Sequence, residues 1–350
     1  MKKFLVFYTQ LESAKTGGQV IDFDFIHQIE SSKLFDVTYF LDSDMKSTSN
    51  IAYNIYLLTH VMRFFKYDVI FMNSRTYPRM LFFVMLLRLF SFKGKLITYH
   101  HHYNYKTSCG WRKYIHKVTE LTFLRCMSEI LIPSPYVLDL TKKLIPDIKT
   151  VFIPIGFNKI GNICDFGLKK ERIVCVGNID RRKRTHHIVE IANLLKDKIS
   201  NLRYDIVGGV LDQKYSLEIQ KQIERYHLKD VVILHGRVSN EKLSSIYKNA
   251  LLFVFPSSYE GYGMVLVEAM NFGVPVVAYN NSAIPYTISN GYNGILVDDG
   301  DYEKMADLIE KIIKEGDLAA LSYNAYSYAK KMPDISDMRH KMADYIRELS

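Results

Sequence analysis

Short apolar runs recur along the chain, separated by longer stretches of mixed polarity. In the first half they fall at residues 4–8, 37–41, 69–73, 96–100, 130–132 and 151–153. Their length and their Val, Ile and Phe content predict strands buried on both faces. Helical stretches lie between them, and that alternation predicts a doubly wound parallel sheet. Residues 154–170 then change character, with glycines, polar residues and no period, which marks a linker. The alternation restarts at 173–176 and continues through 204–207, 231–234, 251–255, 274–278 and 295–297. From Asp301 the pattern is helical, with Pro333 as a breaker. At 350 residues the chain is long enough for two separate cores.

The most informative stretch is 251–278. An apolar strand ends at Pro256-Ser257-Ser258, and Gly261 and Gly263 precede a helical segment, 264–272, that Gly273 stops. A glycine-bearing loop that opens a helix presents unpaired backbone N–H groups to an anion, and the helix dipole adds to the attraction. Two carboxylates bracket it. Glu260 stands in the loop, and Glu268 lies on the second turn of a helix that is apolar nearly all round. A carboxylate there needs a partner, and the vicinal hydroxyls of a ribose suit it. The run E-G-Y-G-M-V-L-V-E-A resembles the E-x7-E signature of the group 1 family of retaining, nucleotide-sugar glycosyltransferases with the GT-B fold, and N-F-G-V-P-V-V-A continues the likeness. The resemblance implies α/β architecture with two Rossmann-like doubly wound domains facing a central cleft. Residues 1–155 would take the acceptor and 172–325 the nucleotide sugar. A linker, 156–171, would join them, and 326–350 would cross back to the first domain.

Several further residues gain a role only through that resemblance. Gly17-Gly18 before the apolar-periodic segment 20–29 is by itself an ordinary turn; in the family a glycine pair here approaches the donor phosphates. Thr98-Tyr99-His100 matches a T-x-H pattern whose histidine lies near the transferred sugar, with His101 as the register alternative. The triple His100-His101-His102 is not read as a metal site, because consecutive side chains on extended backbone point to opposite faces. Arg181-Arg182-Lys183-Arg184 would ordinarily be a solvated loop. The family places G-R-x-x-x-x-K here to grip a diphosphate; Lys183 matches the lysine, whereas Asn178 stands where arginine is usual. Arg182 and Arg184 are candidates to supply the missing charge. As a loop residue, Lys183 is expected to tolerate alanine without loss of the fold. His235-Gly236-Arg237-Val238 resembles the loop whose backbone reads the nucleobase, and 282–285 resembles another family loop. The amides from Gly263 through Met264 and Val265 to Leu266 would carry leaving-group charge, and Glu260 would orient sugar hydroxyls. Asp42-Ser43-Asp44, though a D-x-D, follows only the second strand and reads as a solvated loop.

Composition changes the picture mainly through charge. The formal net charge is +9. Residues 1–150 carry 20 Lys+Arg against 12 Asp+Glu, and residues 63–149 carry 15 against 5. Such asymmetry suggests an anionic partner for the first half. The most apolar segment, 78–92, is too short to span a bilayer and is interrupted by Arg88; it reads as a helix on the sheet whose other face suits a membrane interface. Cys109, Cys126, Cys164 and Cys175 form no C-x-x-C pair, so a reducing cytoplasm is the default, and residues 1–8 read as a strand and not as a signal peptide.

The expected function is therefore transfer of a hexose-type sugar, with retention, from a UDP- or GDP-linked donor to a glycan or lipid-linked acceptor in cell-surface polysaccharide synthesis. No tightly bound cofactor and no metal are expected, and front-face displacement is preferred because no protein nucleophile stands out. The expected location is the cytoplasm, peripheral on the inner face of the cytoplasmic membrane. A glycan phosphorylase or sugar-nucleotide hydrolase on the same fold is the enzymatic alternative. A nucleic-acid-binding protein is the alternative of another class, but no recognised motif or aromatic-basic repeat supports it.

Overall fold

A computed structural model describes residues 1–8, 16–41, 50–159 and 171–350. It divides into two compact units, one comprising Met1–Gly156 with Pro333–Ser350 and the other Phe157–Met332. The segment 160–170 and Asp42-Ser43-Asp44 lie outside the described residues.

The first unit runs β1 (Lys2–Tyr8), α1 (Gly17–Ser32), β2 (Phe35–Leu41), α2 (Asn50–Thr59), β3 (Val69–Asn73), α3 (Tyr77–Leu89), β4 (Lys95–Tyr99), α4 (Gly110–Arg125), β5 (Glu129–Ile132), α5 (Pro135–Leu144) and β6 (Lys149–Phe152). All its strands are parallel, in the order β2-β1-β3-β4-β5-β6. The order reverses at β1/β3, the point where open α/β sheets bind ligands beyond the strands' carboxyl ends. Burial explains the apolar runs: Phe4 to Tyr8 and all of β3 are inside. α1 begins at the glycine pair and not after it, because the Thr16 side chain caps the helix by accepting from the Gln19 amide at 3.4 Å. α3 turns Met80, Phe83, Val84 and Leu87 inward.

The second unit runs β7 (Arg172–Val176), α6 (Thr185–Leu195), β8 (Arg203–Val207), α7 (Gln213–Arg225), β9 (Val232–Gly236), α8 (Asn240–Lys248), β10 (Leu252–Phe255), α9 (Met264–Asn271), β11 (Val276–Tyr279), β12 (Gly294–Val297), α10 (Tyr302–Glu315) and α11 (Leu318–Lys331). Its parallel strands are ordered β12-β11-β10-β7-β8-β9. The switch point therefore falls between β7 and β10. β9 continues through His235 and Gly236, which were expected to be loop, because the Gly208 amide donates to the Gly236 carbonyl at 2.9 Å. α11 stays with this unit, where the Ser322 hydroxyl donates to the Gly273 carbonyl just past α9.

Pro333 then separates α11 from α12 (Ile335–Leu349), which a reciprocal Asp334/Asp337 capping box starts. α12 belongs to the first unit. Its Arg339 pairs with Asp24 of α1 at 3.0 Å, and its Tyr345 hydroxyl donates to Glu129 of β5 at 3.0 Å.

Candidate active site

In the second unit, the loop that leaves β7 and the loop that leaves β10 meet at the switch point. The first contains a 3-10 turn, Arg181–Lys183, which Asp180 caps by accepting from the Lys183 amide at 2.9 Å. The Lys183 stem crosses Gly177, where an added Cβ would sit 3.2 Å from it, and its ammonium lies 4.6 Å from the centre of the Phe255 ring. That path delivers the ammonium to Glu260 Oε1 at 2.7 Å. Arg182 Nη1 reaches the same oxygen at 2.7 Å and the Tyr259 carbonyl at 2.6 Å. Ser257 donates a third hydrogen bond to Oε1 at 2.6 Å. Among the described residues no donor falls on Oε2.

Burial alone would raise the Glu260 carboxyl, but Lys183 and then Arg182 outweigh it and hold it at about 2. Two cations thus share one carboxylate oxygen, with Asp180 a more distant partner of Arg182 at 3.9 Å, and α9 begins beside them. Gly263 starts that helix at φ +85°, and a side chain there would press on Leu266 at 2.9 Å, so glycine is required. No side chain caps the helix. The N-terminal amides of Met264 and Val265 therefore have no capping side chain, whereas the Leu266 amide, expected to be open as well, bonds the Gly263 carbonyl at 2.9 Å.

These facts revise the reading of Lys183. It is not a free loop residue: its side chain is mostly buried and neutralises a buried carboxylate, so its removal costs stability. They also sort the arginines. Arg182 shares the Glu260 oxygen with Lys183, whereas Arg184 pairs with Asp299 at 2.6 Å. Asn178 is half-buried beside Gly177. Arg237 lies across Gly209, where a Cβ would come 2.6 Å from its Nε, so the loops after β8 and β9 touch. Val238 follows, half-buried. His235 turns to Asp205 at 2.7 Å, which also binds Arg172 at 2.8 Å.

Glu268, on the second turn of α9, has its carboxyl raised to about 6 by burial, with Lys183 pulling the other way. A carboxylate that accepts from ligand hydroxyls is stabilised in its charged form. Nucleotide affinity is therefore expected to fall as pH drops from 7 to 5, with an inflection near 6, and Glu268→Gln should flatten that profile. Calorimetric titration of nucleoside diphosphate across this range tests it; an unchanged profile in the variant removes Glu268 from the ligand.

In the first unit the sequence's preferred histidine is corrected. His100 is fully buried, its ring edge-on to Tyr103 at 4.5 Å, and neither of its nitrogens has a partner among the described residues. Burial, then His102 and His101, hold it well below the usual imidazole range. The physical reason is strand alternation: the His100 amide still pairs with Leu131 at 2.8 Å, so its side chain points into the core. His101 takes the opposite side. Its ring stacks on Tyr99 at 5.0 Å, and a Cβ on Gly18 would come 3.1 Å from it. Its Nε2 meets Asp22 Oδ1 at 2.7 Å, while Asp22 Oδ2 accepts from the Tyr8 hydroxyl at 3.0 Å and from Asn73 at 3.1 Å. Asp22, Asn73 and Tyr8 escaped the sequence reading. The one signal was an aspartate on the otherwise apolar face of α1, a buried charge that requires a partner.

Residues 160–332 match the family described as Glycosyl transferases group 1. Through this segment the chain belongs to that family. The group 1 chain is 28% identical over 232 residues to the 2-deoxystreptamine N-acetyl-D-glucosaminyltransferase of Niallia circulans, an alignment covering 62% of this chain and 59% of that one. It is 31% identical over 143 residues to the capsular polysaccharide biosynthesis glycosyltransferase CapM of Staphylococcus aureus, covering 41% and 37%. The chain thus spans between about a third and three-fifths of these relatives' lengths. Among solved structures, it matches sucrose-phosphate synthase of Thermosynechococcus elongatus with a TM-score of 0.78 at 19% identity, covering 99% of each chain. Anabaena HepE, in complex with UDP and glucose, matches with a TM-score of 0.74 at 16% identity, over 99% and 100%. These likenesses show that the fold of this group 1 member is GT-B.

Proposed function

We propose that the chain transfers a hexose-type sugar, with retention of configuration, from a nucleotide diphosphate sugar to a glycan or lipid-linked acceptor. The observation that carries this reading is the convergence of Lys183, Arg182 and the uncapped start of α9 on Glu260, at the switch point of the second sheet. The two side-chain cations and the uncapped helix amides suit a departing diphosphate, and preorganised donors of this kind are often the largest contribution to catalysis. Glu260 keeps Oε2 for a sugar hydroxyl, Glu268 takes the ribose, and the loop 236–238 faces the base. In the first unit His101 is steadied by Asp22 and packs against Gly18. No metal enters this scheme. UDP-linked donors are the first choice, because HepE was solved with UDP and with UDP-glucose. CapM's name supports cell-surface polysaccharide as the acceptor class, and the basic first half supports work at the anionic inner face of the cytoplasmic membrane.

A thermal-shift panel of nucleotide sugars tests the donor. A donor at 100 times its dissociation constant stabilises the native state by about 2.7 kcal/mol, and UDP-linked sugars should lead the panel. Turnover of donor with water or phosphate alone would favour the hydrolase or phosphorylase. No shift with any nucleotide sugar, together with salt-sensitive retention on RNA or DNA, would overturn the reading.

A further inference from the structure

The first two turns of α4 combine exposure with apolar character. Trp111, Tyr114, Ile115 and Val118 are 69, 75, 49 and 65% exposed. The helix enters the core only near its end, through Leu121, Phe123 and Leu124. The four exposed residues fall at i, i+3, i+4 and i+7, a single stripe on a helix of 3.6 residues per turn. By the same geometry Arg112 and Lys117 flank the stripe, one on each side, and Lys113 lies behind it.

The stripe's surroundings are basic. Residues 106–119 contain four Lys or Arg and no Asp or Glu. Glu120, the first acid, is buried and occupied: it accepts from the Asn104 and Tyr105 amides at 2.9 and 3.0 Å, which ties the loop before α4 to the helix. That loop brings Lys106 over the Tyr105 ring at 5.6 Å, and Lys117 approaches the same ring at 5.9 Å. Burial, then the charges of Lys113, Lys117 and Lys143, push the Lys106 ammonium down. Lys106 and Lys117 therefore meet at the Tyr105 ring, and Lys117 flanks the apolar stripe. α3, which packs against α4, adds Phe82 and Leu89, 63 and 72% exposed.

An occupant of this face must offer apolar volume and negative charge together. A second copy of the chain meets only the first need. A two-fold contact through the stripe would bring the flanking Arg112 and Lys117 of both copies together, and like charges facing one another are costly. An anionic bilayer meets both needs: tryptophan and tyrosine favour its interfacial layer, and lysine and arginine reach its phosphates.

We propose that the exposed stripe of α4 docks this chain on an anionic phospholipid surface. Trp111, Tyr114, Ile115 and Val118 enter the interfacial layer, and Lys106, Arg112 and Lys117 contact lipid phosphates. This names the surface behind the membrane reading above and rests on it.

Trp111 is the chain's single tryptophan, so its emission reports on this helix alone. The full chain is mixed with phosphatidylcholine vesicles, with or without phosphatidylglycerol. Only the anionic vesicles should sediment the protein, shift Trp111 emission to the blue and, when brominated in the acyl chains, quench it. Salt should reverse all three, since screening shortens the field to about 8 Å at physiological ionic strength. Ile115→Asp with Val118→Asp should weaken vesicle binding by roughly tenfold or more. Both positions are exposed, so an unchanged melting temperature and an unchanged nucleotide thermal shift should accompany the loss. Sedimentation with no change in Trp111 emission would overturn the α4 assignment and leave the membrane reading standing; no sedimentation would remove both. A blue shift that grows with protein concentration in the absence of lipid would assign the stripe to a second copy.

Discussion

Lys183→Ala is expected to slow sugar transfer by about 10- to 150-fold, the rate equivalent of one hydrogen bond to a charged group at roughly 1.5–3 kcal/mol. The same substitution should lower the melting temperature by several degrees, since a unit of 150–250 residues shifts by about 2–4 °C per kcal/mol. The stability cost follows from position. The ammonium sits 2.7 Å from a buried carboxylate and 4.6 Å from the Phe255 ring centre, with its stem packed against Gly177. Arg182 and Ser257 stay on Glu260 in the variant, which keeps the loss moderate. Parallel measurement of kcat/KM and thermal unfolding separates the two effects. Transfer at the wild-type rate, with Arg182→Ala inactive, would reassign the diphosphate clamp to Arg182.

Glu260→Ala is expected to cost more stability than any other single change in the site, about 3–5 kcal/mol, because it leaves two neighbouring cations without their shared anion. Arg182 would keep only the Tyr259 carbonyl and the more distant Asp180, 3.9 Å away. The pH dependence has a definite sign. The folded-state carboxyl, held at about 2, lies below its ordinary value of 4.5. Its contribution is therefore present in full above pH 4.5 and lost as pH falls toward 2. Denaturant midpoints of wild type and Glu260→Gln should differ most at neutral pH, and the gap should narrow at pH 3. A gap that is constant between pH 7 and pH 3 would mean that the carboxyl is not held down by its two cations.

Burial is written locally, and for that reason much of the fold was legible in the chain. A strand buried on both faces must be an apolar run of four to seven residues, so each predicted strand from Phe4 to Val297 is present, with ends shifted by at most two residues. Glycines with special backbone needs were legible too: Gly263 must adopt φ +85°, and it opens α9 where the 256–263 loop predicted. What the sequence could not carry was anything set by where a chain segment returns. Strand order decides that β7 and β10 are neighbours, and only that adjacency lets Lys183 meet Glu260 across 77 positions. The choice between His100 and His101 depends on how far β4 stays paired with β5, a one-residue matter that inverts the side chain's direction. Asp22, Asn73 and Tyr8 come from three separate segments, and no spacing links them until the sheet brings their ends together. Local pattern thus determined which residues are buried and which loops are bare. Only the tertiary pairing of distant strands decided which charges face each other, because Coulombic attraction depends on distance in space and not along the chain.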